Sequence, residues 1–145
     1  MFIREVLGIK GDFANLAIEP DAPITLAVKR MLENDVGSLL VMRDGVLVGF
    51  ISERAILRGL SAHDFAHDEI RVSEWMEKEP VVVTLDDSVD YARGVMTKSH
   101  ISHLIVLDGN QVAGVISFHD VARACLKEAR FENTLLKRYI KNWPE

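Results

Sequence analysis

Val36-Gly37-Ser38-Leu39-Leu40-Val41, followed by Gly49-Phe50-Ile51-Ser52, returns later in the chain as Ile101-Ser102-His103-Leu104-Ile105-Val106, followed by Gly114-Val115-Ile116-Ser117. Gly49 recurs as Gly114, an offset of 65 residues, and at that offset Asp21 matches Asp86, Ala27 matches Ala92, Met31 matches Met96 and Arg58 matches Arg123 without a gap. A unit found twice predicts two similar halves about a pseudo-twofold axis, because stacked solenoids need three or more repeats. The clefts between two such halves are where function is expected.

Outward from this stretch, Ile24, Ala27, Val28, Met31 and Leu32 have the spacing of an amphipathic helix, and Val89, Ala92 and Met96 repeat the stripe. The short apolar runs Leu39–Met42 and Leu104–Leu107 read as buried strands. Arg43-Asp44-Gly45 and Asp108-Gly109-Asn110 then carry the turn chemistry of hairpins. The second strand of each hairpin ends at a serine, Ser52 or Ser117, placed to cap a following helix. Short strands are expected before each unit, at Ala17-Ile18 and Val81–Thr84. The polar stretch Ser61–Glu69 reads as a linker, followed by a short helix over Val72–Met76, and a long final helix is expected from Phe118 to about Lys141. The predicted division is residues 1–60 as the first repeat, 61–79 as linker, 80–128 as the second repeat and 129–145 as a helical extension.

Composition narrows the function. With 145 residues the chain has the length of one compact domain, and each half, at about 60 residues, would bury too little surface to be stable alone. A net charge of −5 disfavours a nucleic-acid surface, which depends on clustered Lys and Arg. No leader-like start and no apolar run long enough to span a bilayer is evident, so a cytoplasmic protein without membrane contact is expected. Cys125, the only cysteine, excludes an intramolecular disulfide and a CxxC zinc site. Placed inside the final helix among Val121, Ala122 and Leu126, it reads as an inert thiol. The chain lacks G-x-S-x-G, P-loop, H-E-x-x-H and G-x-G-x-x-G motifs, so no enzyme is expected. His63 and His67, beside Asp64 and Asp68, would share a helix face but have no third ligand, and no metal is expected.

The paired repeat resembles a tandem of cystathionine β-synthase (CBS) domains, a Bateman module, of the stand-alone type. In the first repeat the resemblance rests on Asp35–Val41, Asp44-Gly45 and Val48–Arg54. In the second it rests on Pro80–Val83, Ser102–Asp108 and Gly114–Asp120. It implies an α/β (α+β) fold of two pseudo-symmetric repeats, each a small β-sheet with flanking helices, packed together through their sheets. It also implies a regulatory ligand with an adenosyl group, such as AMP, ADP, ATP, NAD or S-adenosylmethionine, bound without catalysis and without a separate cofactor.

The family's Ser/Thr-x-x-Asp pattern falls on Ser117-Phe118-His119-Asp120. A carboxylate there can accept hydrogen bonds from both ribose hydroxyls, although the same four residues also read as a helix-capping box. The resemblance puts the base against Leu16, Ala17, Val36 and Gly37. It puts phosphate near Ser102 and His103, with His100 and Arg54 as further candidates, and without the arginine common before the second strand. Charging of His103 below pH 7 would make such binding pH-sensitive. The first repeat has Ala55 where the pattern has aspartate, so a weak or empty second site is expected at Ser52, Val81 and Val82. A homodimer and a separate effector protein are the expected partners. The competing reading is an oligomerising scaffold whose ligand clefts are vestigial.

Overall fold

The computed structural model describes residues 1–7, 14–64 and 69–140. In chain order its elements are α1 (Ile3–Leu7), β1 (Ala17–Ile18), α2 (Ile24–Asn34), β2 (Ser38–Arg43), β3 (Val46–Ser52), α3 (Glu53–Ala62) and α4 (Val72–Trp75). Then come β4 (Val82–Thr84), α5 (Val89–Ser99), β5 (His103–Asp108), β6 (Gln111–Ser117) and α6 (Phe118–Tyr139). They form two compact units. One lies within Gly11–Val81, and the other joins the described part of Met1–Lys10 to that of Val82–Glu145.

Each unit holds a three-stranded mixed sheet, β1-β2-β3 or β4-β5-β6. The first strand runs parallel to the second, with Ala17 opposite Leu40 in one unit and Val82 opposite Ile105 in the other. The second and third strands form an antiparallel hairpin, bulged between Val41 and Met42 and again between Val106 and Leu107. All of these positions keep the 65-residue offset. Asp44 and Gly45 reverse the first hairpin with φ of 50° and 78°, the positive values that a tight hairpin turn demands. Asp35 and His100, again equivalent, end α2 and α5 in the left-handed conformation, which Asp and His tolerate better than most side chains.

The two cores are built from matching side chains. Ile24, Ala27, Met31, Leu39, Val41 and Ile51 are buried in one unit, and Val89, Ala92, Met96, Leu104, Val106 and Ile116 in the other. The expected stripe on α2 is narrower than its spacing suggests: Ile24, Ala27 and Met31 face the core, but Val28 is 38% and Leu32 78% exposed. Ser61 and Ala62 belong to α3 and not to the linker. Lys141, His67 and Asp68, on which part of the sequence reading rested, lie outside the described residues.

The sequence reading placed the first residues with repeat 1, whereas the structure packs them into the second repeat. Ile3 is fully buried in the core around Leu104 and Val106. Its N–H donates to the Asp87 carbonyl at 2.9 Å, and the Val89 N–H donates to the Met1 carbonyl at 2.9 Å. In the other unit the segment around α4 does the same work. Val72 is fully buried, its N–H donates to the Ala22 carbonyl at 2.8 Å, and the Ile24 N–H donates to the Ile70 carbonyl at 3.0 Å. The match extends to polar detail: Glu5 accepts from the Phe2 N–H at 2.6 Å, as Glu74 accepts from the Arg71 N–H at 2.6 Å. Leu7 lies over Gly114 and Met76 over Gly49, each clip closing a strand that has no side chain of its own at that point. Each repeat is thus completed by a short helical clip drawn from the chain segment before the other repeat.

Candidate ligand-binding site

The Ser117 corner is assembled by local hydrogen bonding at the start of α6. Ser117 ends β6 in extended conformation and caps α6: its Oγ accepts from the Asp120 N–H at 3.1 Å, while Asp120 Oδ2 accepts from the Ser117 N–H at 3.2 Å. This reciprocal box satisfies two backbone donors that the helix end would otherwise leave open. Capping is therefore an observed role of Asp120. Its other oxygen, Oδ1, has no partner among the described residues, and the residue is half-buried.

Across the hairpin, His103 pairs in register with Ser117. The Phe118 N–H donates to the Ser102 carbonyl at 2.7 Å, which ties the α5–β5 connection to the helix start. Ser102 Oγ lies 3.2 Å from His103 Nδ1. His100, Ile101, Ser102 and Phe118 line an open groove of about 450 Å³ with Met96 and Thr97. Ser102, His103, Ser117, Asp120 and His100, named from the sequence, are thus neighbours in one unit.

Leu16, Ala17, Val36, Gly37, Ser52 and Arg54 belong to the other unit. Arg30 Nη1 donates to the Ala17 carbonyl at 2.6 Å, fixing β1 against α2. Gly37 occupies the position equivalent to Ser102, and its carbonyl accepts from the Glu53 N–H at 2.9 Å. Ser52 caps α3 through the Ala55 N–H at 3.1 Å, but Ala55 returns no hydrogen bond, so the box is half-made. Arg54 is exposed on the first turn of α3. Val81 and Val82, equivalent to Leu16 and Ala17, are exposed at the start of β4.

Sequence reasoning missed Glu53. A Cβ at Gly37 would lie 3.2 Å from Glu53 Oε1, so a carboxylate rests where the equivalent corner has Ser102 and Phe118. The signal was available, because an acidic residue in the first turn of a helix is favoured by the dipole and sits directly after the capping serine. His63, the described half of the suggested metal pair, stacks near Trp75 with ring centroids 5.7 Å apart, and its Nδ1 lies 2.8 Å from the Gly59 carbonyl. No group of three metal-ligating side chains occurs among the described residues. The guanidinium groups of Arg4, hydrogen-bonded to Asp86, and Arg93, hydrogen-bonded to Asp90, have raised pKa values. Neither lines the groove.

The family model of the CBS domain matches residues 12–62 and 72–127. A CBS domain-containing protein of Arabidopsis thaliana, CBSX3, mitochondrial, is 32% identical over 96% of this chain and 71% of its own length. The structure of the CBS-domain containing protein ATU1752 from Agrobacterium tumefaciens is similar at a TM-score of 0.78 and 27% identity, covering 86% of this chain and 98% of that one. The CBS domain pair of protein MJ0100, solved in complex with 5′-methylthioadenosine and S-adenosyl-L-methionine, has a TM-score of 0.73 at 21% identity, covering 88% of this chain and 98% of that one.

Proposed function

This chain belongs to the CBS-domain family, carrying the repeat twice, and from that premise we propose that it is a non-catalytic regulatory module that binds an adenosyl ligand through Asp120 and signals its occupancy to a partner protein. The observation that carries the reading is the carboxylate of Asp120. Held by its own helix cap through Oδ2, it keeps Oδ1 for a ligand at a half-buried position, in the Ser-x-x-Asp pattern of the family. A preset acceptor of this kind suits a ribose diol, and bonds to a charged acceptor are the stronger sort. That the fold of the MJ0100 pair accommodates methylthioadenosine and S-adenosylmethionine is consistent with this ligand class.

The first repeat supplies the contrast. Ala55 offers no acceptor, and Glu53 puts a negative charge beside Gly37. One ligand per chain is therefore expected. Signalling works by population shift: the ligand must bind one arrangement of the protein or of its complex better than another, and the difference sets the size of the response.

Calorimetry with AMP, ADP, ATP, NAD and S-adenosylmethionine tests the reading. At least one should bind with a stoichiometry near one per chain, and Ala55→Asp should raise that number. A ligand present at about 100 times its dissociation constant should also stabilise the protein by about 2.7 kcal/mol. If none of these compounds binds or shifts the melting temperature, the proposal fails and the scaffold reading takes its place.

A further inference from the structure

The two clips sit on their repeats through matching backbone hydrogen bonds. The Arg4 N–H donates to the Leu85 carbonyl at 3.1 Å, and the Ser73 N–H donates to the Pro20 carbonyl at 3.0 Å. Leu85 and Pro20 are 65 residues apart, as the repeats are, so Arg4 of α1 and Ser73 of α4 hold equivalent places, each one residue after the buried Ile3 or Val72. The seats correspond as well: Asp86 follows Leu85 as Asp21 follows Pro20.

The charges at the two seats differ. In the first repeat Asp21 Oδ2 accepts from Nη2 of Arg43, the last residue of β2, at 2.9 Å, an ion pair made within the repeat. The last residue of β5 in the second repeat is Asp108, a carboxylate where the first repeat has that guanidinium. The Leu85 N–H donates to the Leu107 carbonyl at 3.3 Å, which sets the segment bearing Asp86 beside the end of β5. The cation comes from the clip: the Arg4 guanidinium is hydrogen-bonded to Asp86. Its pKa is raised by that hydrogen bond and by the charge of Asp86, and the charge of Asp108 adds to the effect. The α4 clip also carries a cation, but one place before Val72. Arg71 Nη1 donates to the Asp21 backbone carbonyl at 2.6 Å, and the equivalent residue of α1 is Phe2.

Exchanging the clips would undo both arrangements. Arg4 on the first seat would meet the like charge of Arg43, and Ser73 on the second would leave Asp86 and Asp108 without this counter-ion. We propose that Arg4, Asp108 and Arg43 form a charge address that assigns each clip to its repeat. The seat of the second repeat recognises a short helix in which a buried aliphatic residue is followed by a cation. The seat of the first recognises one in which it is followed by a small neutral residue.

A mutant cycle in the full chain tests the address, read by amide exchange at Leu104, Ile105 and Val106 and by chemical denaturation. Arg4, Arg43 and Asp108 are exposed, so their variants should fold. Arg4→Ser should speed that exchange about twofold to fivefold, the range of an exposed ion pair. Asp108→Arg alone should do the same, because it sets a second cation against Arg4. Together the two changes rebuild the arrangement of the first repeat, with the ion pair inside the repeat and serine on the clip, so the double variant should return to within about twofold of the parent. The mirror pair moves the address: Arg43→Asp should loosen Leu39, Leu40 and Val41, and Ser73→Arg added to it should restore them. At about 0.5 M salt all of these differences should shrink. Additive losses in either cycle overturn the proposal, as does an Arg4→Ser variant indistinguishable from the parent. Losses that persist unchanged at high salt overturn it too, since they would come from packing of the arginine stem and not from its charge.

Discussion

One oxygen of Asp120 closes the cap on Ser117, and the other is the one a ribose would use. The two roles can be separated by substitution. Asp120→Ala removes both, and should lower stability by about 1 kcal/mol through the lost cap, a fall in melting temperature of about 2–4 °C. Asp120→Asn keeps an acceptor for the Ser117 N–H but loses the charge, so it should melt close to the parent while adenosyl affinity falls about tenfold or more, the scale of a charged hydrogen bond. Should the asparagine variant bind as tightly as the parent, Asp120 would be a cap and nothing else. The sequence presented both readings of these four residues without choosing between them, because capping and ribose binding ask for the same side chains at the same spacing. In the folded chain one oxygen suffices for the cap.

The helices and hairpins inside each repeat were legible because they recur at a fixed offset; the bulges and the left-handed caps at Asp35 and His100, which no sequence pattern announced, obey the same offset. The clips were not. Met1-Phe2-Ile3-Arg4-Glu5-Val6-Leu7 and Ile70-Arg71-Val72-Ser73-Glu74-Trp75-Met76 match at a different offset, 69 from Ile3 to Val72, and share little beyond apolar spacing and one glutamate. Their pairing with the far repeat is non-local, and no local pattern reports it. The clips can be tested through the glycines beneath them. A Cβ at Gly49 would meet Met76 and lie 2.9 Å from the Glu77 backbone carbonyl, which cannot move without breaking its strand-like bridge to Phe50. Gly49→Ala should therefore cost about 1–3 kcal/mol by overpacking. At Gly114 the nearest atom is Leu7 Cδ1, 3.2 Å away at the end of a flexible side chain. Gly114→Ala should be milder. Equal losses in chemical denaturation would mean that the two clips grip their strands alike.

At the scale of the molecule, chain order and structural unit disagree: the start of the chain completes the unit that contains its end. Stability should follow the unit and not the position in sequence. Deleting residues 1–7 removes Ile3, whose side chain is fully buried among Val83, Leu104 and Val106, and also strips the backbone partners of Asp87 and Val89. Loss of a buried aliphatic side chain alone costs about 2–5 kcal/mol, and the orphaned backbone groups add to it. Hydrogen exchange resolves where that loss falls, because protection reports local opening strand by strand. In the truncated chain the amides of Leu104, Ile105 and Val106 should exchange faster, while those of Leu39, Leu40 and Val41, closed by Val72, keep most of their protection. The opposite pattern, with β2 loosened and β5 unchanged, would assign the first residues to the first repeat, where the sequence had placed them.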